Sequence, residues 1–390
     1  MVKKLFFLFA TFFFLLPQTS IVLASENPLS HPNNKFGIHI LFPTELQKAA
    51  KLVNSNGGQW GYVVIPLQSG DRDMAKWQSF LDEAGRRHVI PIIRLATEGD
   101  YFNTTVWRTP TDDDIIDFAN FLNSLTWPTK NRYVILFNEV NRADEWGGSV
   151  DPTAYAKLLS YAVSVFKSKS QDFFLLNAGL DNGAPDNLPD FMNEYTYLQA
   201  MNTAVPGIFH QIDGFDSHSY PNPGFSEPPS VITSKSIGSF RYERSLLASF
   251  GVQHIPIFIT ETGWRSDAVT SALEAKYYQE AFSGSWSDAD IAVVAPFLLD
   301  AGSGPFRPFS FLKADGSETA QYLMYSSIPK IEGKPSLTQT VLSAASEAIS
   351  QASPTLSLPE RNFSAELTAG SRSFSVSKTM ETAFRWIMKI

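Results

Sequence analysis

The sequence predicts an α/β protein with the fold of a (β/α)8 TIM barrel in a single domain. Three observations support this prediction. Eight short apolar runs occur between residues 35 and 299, segments with helical periodicity separate them, and the array covers about 265 residues, the size of one barrel. Continuous apolar strands that alternate with one-sided helices indicate a parallel sheet covered by helices.

The predicted strands are short runs rich in β-branched and aromatic residues. In chain order they are KFGIHILF (35–42), GYVVIPLQ (61–68), HVIPIIRLA (88–96), RYVILFNEV (132–140), DFFLLNAGL (172–180), IDGFDSHSY (212–220), IPIFITETG (255–263) and IAVVAPFLL (291–299). A doubly wound open sheet is the alternative. It is disfavoured because neither of the glycine-rich phosphate-binding turns follows any of these runs.

The segments between the runs carry one apolar stripe each. After the first run the stripe is Leu46, Ala49, Ala50 and Val53, and after the fourth it is Tyr155, Leu158, Leu159, Ala162 and Phe166. Asp151 and Pro152 predict the start of that second helix, and Thr111 before three aspartates predicts another. The last barrel helix is expected within residues 309–335, and a further one over 337–349.

The two ends of the chain differ from the predicted barrel domain, residues 35–350. Lys3 and Lys4 precede a 12-residue apolar run, and Val22 and Ala24 stand at the positions of a cleavage site, so residues 1–24 are predicted to be a signal peptide. An uncleaved anchor is the alternative, since residues 5–24 almost reach membrane length. Residues 351–390 are rich in Ser, Pro and Thr, which predicts a linker or a poorly ordered tail.

Composition excludes several functional classes. The net charge is −8 and becomes more negative once the leader is removed, which disfavours nucleic acid and anionic membranes as partners. The chain has no cysteine, which excludes disulfides, thiol chemistry and cysteine-bound metals. We expect a monomer that is secreted, periplasmic or held at the cell surface, with no membrane span after leader cleavage.

Polar residues end four of the predicted strands. Arg94 ends the third, Asn138 and Glu139 the fourth, and Glu261 the seventh. The sixth ends in Asp216, His218 and Tyr220, which alternate and therefore face one side. If the barrel closes, all these groups converge on the rim where barrel enzymes carry their chemistry.

Two carboxylates on opposite strands at one end of a barrel are the minimum set of catalytic groups for cleaving a glycosidic bond. One must donate a proton to the leaving oxygen and the other must attack the anomeric carbon. A separation of about 5–5.5 Å predicts retention of configuration, and about 6.5–9.5 Å predicts inversion. Serine hydrolase and zincin motifs are absent, and only His39 and His218 lie at strand ends as candidate metal ligands.

The motifs ILFNEVN, FDSHSYPNP and FITETGW resemble those of the clan A retaining glycoside hydrolases, over about residues 35–330. The resemblance implies a cofactor-independent glycosidase acting on a poly- or oligosaccharide. It implies Glu139 as general acid/base, Glu261 as nucleophile and Asn138 as the ligand of the sugar 2-hydroxyl. Tyr220 would hold the nucleophile, His218 would line the sugar site, and Arg94 would stand in for the arginine near the nucleophile.

One departure concerns the tryptophan that follows strand eight in many clan members. Here Phe297 or Asp300 takes that place, so Trp264 and Trp146 are the candidate sugar-stacking residues. Structural alternatives stay open: Glu139 as a helix cap, Asn138 as a turn residue, His218 with Tyr220 as a core pair, Arg94 as an ion-pair partner, and both tryptophans as packing. At the level of function, the alternatives are a catalytically silent glycan-binding barrel and a transglycosylase.

Overall fold

The computed structural model describes residues 25–97, 106–302 and 306–338. Eight parallel strands alternate with eight helices, as predicted. The strands are β1 Gly37–His39, β2 Gly61–Gln68, β3 Val89–Ala96, β4 Arg132–Ile135, β5 Phe173–Leu176, β6 Phe215–His218, β7 Ile257–Glu261 and β8 Ile291–Val294. The helices are α1 Leu46–Val53, α2 Met74–Arg86, α3 Asp112–Ser124, α4 Pro152–Lys169, α5 Glu194–Ala204, α6 Phe240–Ser249, α7 Ser271–Ser283 and α8 Ala320–Ser327.

The strands form two sheets that meet at two seams. Five strands pair in the order β1 to β5, and three in the order β6 to β8. A parallel bridge between Leu176 and Gly214 links β5 to β6, and one between Phe36 and Val294 links β8 to β1. Isolated bridges, rather than continuous ladders, connect the two sheets.

Side chains of the strands alternate between two cores. On β2, Tyr62 and Val64 pack inside the barrel, whereas Val63 and Ile65 pack against the helices. Both faces are therefore apolar, which explains why the runs are continuous in sequence. An open sheet with one bare face would leave half of these residues in water.

Several predicted strands end earlier than their apolar runs. The fourth run reaches residue 140, but β4 stops at Ile135 because the backbone turns at Phe137, which has φ 79°. The predicted helix starts at Asp112 and Pro152 are confirmed: Thr111 accepts a hydrogen bond from Asp114 N, and Asp151 from Ala154 N at 2.9 Å.

The predicted leader, the predicted tail and almost all of the helix expected over 337–349 lie outside the described residues. The domain boundary at residue 350 therefore stays a prediction. Within the described part of the chain, none of the helices has both the length and the apolar character needed to cross a bilayer.

Candidate active site

The predicted site residues gather at the carboxyl ends of the strands. Arg94 follows Ile90 and Ile92 at two-residue spacing on β3, so it continues the row that faces the barrel interior. On the opposite side, His218 ends β6 and Glu261 ends β7, where the two are register partners next to a bulge. All three residues are buried.

The segment after β4 carries Glu139 into this interior. Phe137 (φ 79°) and Glu139 (φ 34°) both adopt the left-handed backbone region, which is costly for residues other than glycine. The amide of Glu139 donates to the carbonyl of Gly179 at 2.9 Å. A Cβ on Gly179 would lie 2.2 Å from the His218 ring, so only glycine permits this close approach.

The two glutamates face each other across His218. Nδ1 of His218 lies 3.1 Å from Oε1 of Glu139 and 3.8 Å from Oε2 of Glu261. One oxygen of each carboxylate and one ring nitrogen of His218 all lie within 4.8 Å of one another. The sequence-based prediction placed His218 along the sugar site, whereas in the structure it bridges the two carboxylates.

Both oxygens of Glu261 have polar neighbours. Nη1 of Arg94 donates to Oε1 at 3.0 Å, and the Tyr220 hydroxyl donates to Oε2 at 3.1 Å. Arg94 also donates to the side-chain oxygen of Asn138, so a single guanidinium orders two of the predicted site residues. These contacts fix the orientation of the Glu261 carboxylate.

Two histidines near Glu261 differ in charge. Burial opposes a charge on His218, but Glu261, Glu139 and Asp216 outweigh it and raise the pKa of His218 to about 9. Burial, together with the charges of Arg94 and His218, holds the pKa of His39 well below its usual range. His218 is therefore the cation at neutral pH and His39 is neutral, although His39 Nε2 lies only 3.6 Å from Glu261.

Glu139 has a second cationic neighbour that the sequence analysis did not single out. Nη1 of Arg142 lies 3.5 Å from Oε2 of Glu139 and 3.5 Å from Oδ2 of Asp181. Arg142 also forms a two-point ion pair with Asp144, at 3.1 and 2.9 Å. Arg142 follows Glu139 by three residues in an irregular segment. No periodic pattern in the sequence therefore marks it as a site residue.

An open cleft of about 700 Å³ lies above these groups. One wall is polar and the other is aromatic. The polar wall is formed by Arg94, Asn138, Glu139, Arg142, Asp144, Glu145, Asp181 and Glu261, and the aromatic wall by Tyr220, Phe225, Phe297, Phe306 and Phe309. Burial raises the pKa of Glu145 to about 8 and that of Asp181 to about 6, so Glu145 holds its proton at neutral pH.

The prediction that Trp264 and Trp146 stack on substrate is wrong. Trp264 is fully buried, packs against Trp286 at a ring distance of 5.8 Å, and donates its indole N–H to the Glu227 carbonyl. Trp146 is 3% exposed and packs edge-on against Tyr155. Phe297, named above as the residue in place of the usual tryptophan, does line the cleft.

Glu139, His218 and Glu261 are also the one group of three potential metal ligands found in residues 25–97, 106–302 and 306–338. Arg94 and Arg142 already bring positive charge to these carboxylates. The arrangement is thus a network of ion pairs in which each glutamate contacts both His218 and one guanidinium.

No protein-family model matches the sequence, and no curated protein matches it. Solved structures do resemble the fold. A family 39 glycoside hydrolase from Bacteroides cellulosilyticus WH2 has a TM-score of 0.54 and 15% identity, with 78% of this chain and 65% of that chain covered. The chain therefore spans just under two thirds of the length of that protein.

Two further structures show the same likeness. A family 39 beta-xylosidase from Caulobacter crescentus has a TM-score of 0.54 and 15% identity, covering 76% of this chain and 72% of that one. A family 5 subfamily 18 protein from Streptomyces cattleya in complex with GlcNAc has a TM-score of 0.51 and 14% identity, covering 76% and 79%. The chain therefore shares the fold of the clan A glycoside hydrolases.

Proposed function

We propose that the chain is a secreted retaining glycoside hydrolase that cleaves O-glycosidic bonds of a poly- or oligosaccharide. The observation that carries this proposal is the separation of the two glutamates. Their nearest oxygens lie within 4.8 Å, close to the spacing of about 5–5.5 Å between the carboxyl groups of retaining enzymes. An inverting enzyme needs about 6.5–9.5 Å to admit a water molecule.

In the first step, Glu261 attacks the anomeric carbon while the glycosidic carbon–oxygen bond breaks. Glu139 gives its proton to the leaving oxygen, so the leaving sugar departs as a neutral alcohol. In the second step, Glu139 takes a proton from a water molecule, whose oxygen attacks the anomeric carbon and releases Glu261. In this mechanism Asn138, which is held by Arg94, binds the sugar 2-hydroxyl, and Arg94 and Tyr220, which both donate to Glu261, hold it in line for attack.

We also propose that water accepts the sugar from the covalent intermediate and that the substrate is a glycan. A water acceptor makes the protein a hydrolase, and a sugar acceptor would make it a transglycosylase. Structural neighbours include a beta-xylosidase, a Thermotoga maritima protein in complex with mannotriose, and fungal beta-1,4-galactanases, which makes xylan, mannan and galactan suitable first substrates. Export rests on the leader-like residues 1–24.

The test combines a polysaccharide panel with two variants. We expect wild-type protein to release reducing ends from at least one glycan, and Glu139→Gln and Glu261→Ala each to remove nearly all activity. Azide should restore turnover of an activated aryl glycoside by Glu261→Ala, giving a glycosyl azide of inverted configuration. Glu280→Gln changes a half-exposed carboxylate on α7, outside the cleft, and serves as the control, with full activity expected.

Three outcomes contradict the proposal. Full activity in either site variant removes the double-displacement mechanism. Glycan binding by calorimetry without new reducing ends from any substrate favours a silent binding barrel. Sugar-extended products in place of reducing ends assign the protein as a transglycosylase.

A further inference from the structure

Arg142 lies in the candidate site without a role in the mechanism above. Its backbone N–H donates to the carbonyl of Glu139 at 2.9 Å, which closes a tight turn after the strand end. That turn brings the guanidinium to the second oxygen of Glu139, at 3.5 Å. The side chain of Arg142 is 7% exposed, so it lines the cleft from a buried position.

The guanidinium is anchored by two aspartates. Asp144 binds its Nε and Nη2 atoms, away from Glu139, and Asp181 shares the Nη1 atom with Glu139, at 3.5 Å. Asp181 is itself held, because its Oδ1 accepts from Gly183 N at 2.8 Å and its backbone pairs with the Asn141 side chain. Arg142 is therefore fixed in place, independently of Glu139.

The two oxygens of Glu139 thus have different partners. Oε1 contacts Nδ1 of His218, and Oε2 contacts Arg142. A guanidinium has donors and no acceptor, and a doubly protonated imidazole likewise offers only N–H groups. A proton on Glu139 therefore finds no acceptor on either neighbour and is directed into the cleft.

We propose that Arg142 is a positioning residue for proton transfer, which holds the carboxyl group of Glu139 so that its Oε2 faces the leaving-group oxygen. This inference rests on the proposed function, since it concerns the acid step of that same reaction. The two glutamates alone do not fix the orientation of the acid. In this proposal that orientation depends on an arginine anchored by Asp144 and Asp181.

Leaving-group dependence separates this role from a merely structural one. Dinitrophenolate leaves a glycoside without protonation, whereas the leaving group of a phenyl glycoside needs a proton from the general acid. General acid catalysis contributes about 10²- to 10⁴-fold to rate. A misplaced acid should therefore slow the phenyl substrate and spare the dinitrophenyl substrate, whereas damage to folding or binding would slow both.

The experiment measures kcat/KM for Arg142→Met on a series of aryl glycosides from dinitrophenyl to phenyl. We expect a loss of about 10- to 100-fold on the phenyl glycoside, and a change of about twofold or less on the dinitrophenyl glycoside. Arg142→Lys, which keeps the charge but loses the two-point pair with Asp144, should give an intermediate loss. Glu139→Gln should show the steepest dependence on the leaving group.

Arg265→Met is the matched control. Arg265 forms the same two-point pair with the aspartate two residues ahead, Asp267, at 2.9 and 2.7 Å, but lies outside the cleft. We expect wild-type kcat/KM on every substrate. If Arg142→Met fails to fold because it leaves Asp144 and Asp181 without their cation, Asp144→Asn tests the same anchor and should give a smaller loss with the same leaving-group dependence.

The outcomes distinguish failure of this inference from failure of the proposed function on which it rests. Wild-type leaving-group dependence in the Arg142 and Asp144 variants, with a steep dependence in Glu139→Gln, overturns the positioning role and leaves the glycosidase intact. An equal loss on all substrates overturns it too, because it indicates a structural effect. No activity in the wild-type protein on any glycoside overturns the proposed function itself.

Discussion

Tyr220 and Tyr197 allow the same chemical change to be tested in two different environments. Both are buried in the barrel structure. The Tyr220 hydroxyl donates to Oε2 of Glu261 at 3.1 Å, whereas the Tyr197 hydroxyl has no hydrogen-bond partner among the described residues. Replacement of each by phenylalanine removes one oxygen and leaves the ring in place.

The expected effects follow from the hydrogen-bond geometry. A hydrogen bond to a charged group contributes about 1.5–3 kcal/mol, so Tyr220→Phe should lower the free energy of unfolding by about that amount. An unpartnered buried hydroxyl is itself unfavourable, because it was desolvated without compensation. Tyr197→Phe should therefore be neutral or should raise the free energy of unfolding.

Denaturant unfolding at neutral pH measures both changes, with the slopes compared to verify that the same transition is observed. In parallel, kcat/KM should fall for Tyr220→Phe and stay at the wild-type value for Tyr197→Phe, since only Tyr220 orients the proposed nucleophile. Equal destabilisation by both substitutions, or a larger cost for Tyr197→Phe, would refute the assignment of the hydrogen bond as the source of stability.

Two further predictions concern residues outside the cleft. Glu274 on α7 is fully buried with both carboxyl oxygens unpartnered, and burial raises its pKa to about 8 from the usual 4.5. Because the folded form retains the proton, the contribution of Glu274 to stability is fully present below pH 4.5 and is lost as pH rises through 8, with about 3 kcal/mol already lost at pH 7. Glu274→Met should remove this part of the pH dependence, and parallel pH profiles of unfolding free energy in both proteins would contradict the prediction. Trp264→Ala should cost about 3–5 kcal/mol of stability, because Trp264 is a packing residue. A rise in KM with unchanged stability would instead restore the sugar-stacking role.

The barrel could be predicted because its signals are local. Most strands lie between two apolar layers and leave an apolar run in the sequence, and all eight observed strands fall inside the predicted segments, including β6 with its buried polar residues. The caps at Thr111 and Asp151 were equally visible, since a cap is decided by neighbouring residues. The convergence of Arg94, Glu139, His218 and Glu261 also followed from the strand order.

The tryptophans were not predictable in the same way. Trp264 lies three residues after Glu261 in sequence, which suggested the cleft. In the structure the chain turns outward after β7, and the indole fills the layer between strands and helices beside Tyr278 and Trp286. Periodicity describes the direction of a side chain within a regular element, and it gives no such information once the element has ended.

The sequence by itself determined the number and order of the strands, the parallel sheet, and the strand ends that carry Asn138, Glu139, His218 and Glu261. These properties depend on spacing along the chain, which burial and backbone geometry convert directly into structure. Only the tertiary structure decided that Arg142 and Asp181, on different loops, meet at Glu139, that His218 bridges both glutamates, and that phenylalanines form the second wall of the cleft. The physical reason is that loop side chains are oriented by contacts between segments distant in sequence, and no periodic pattern within a loop encodes those contacts.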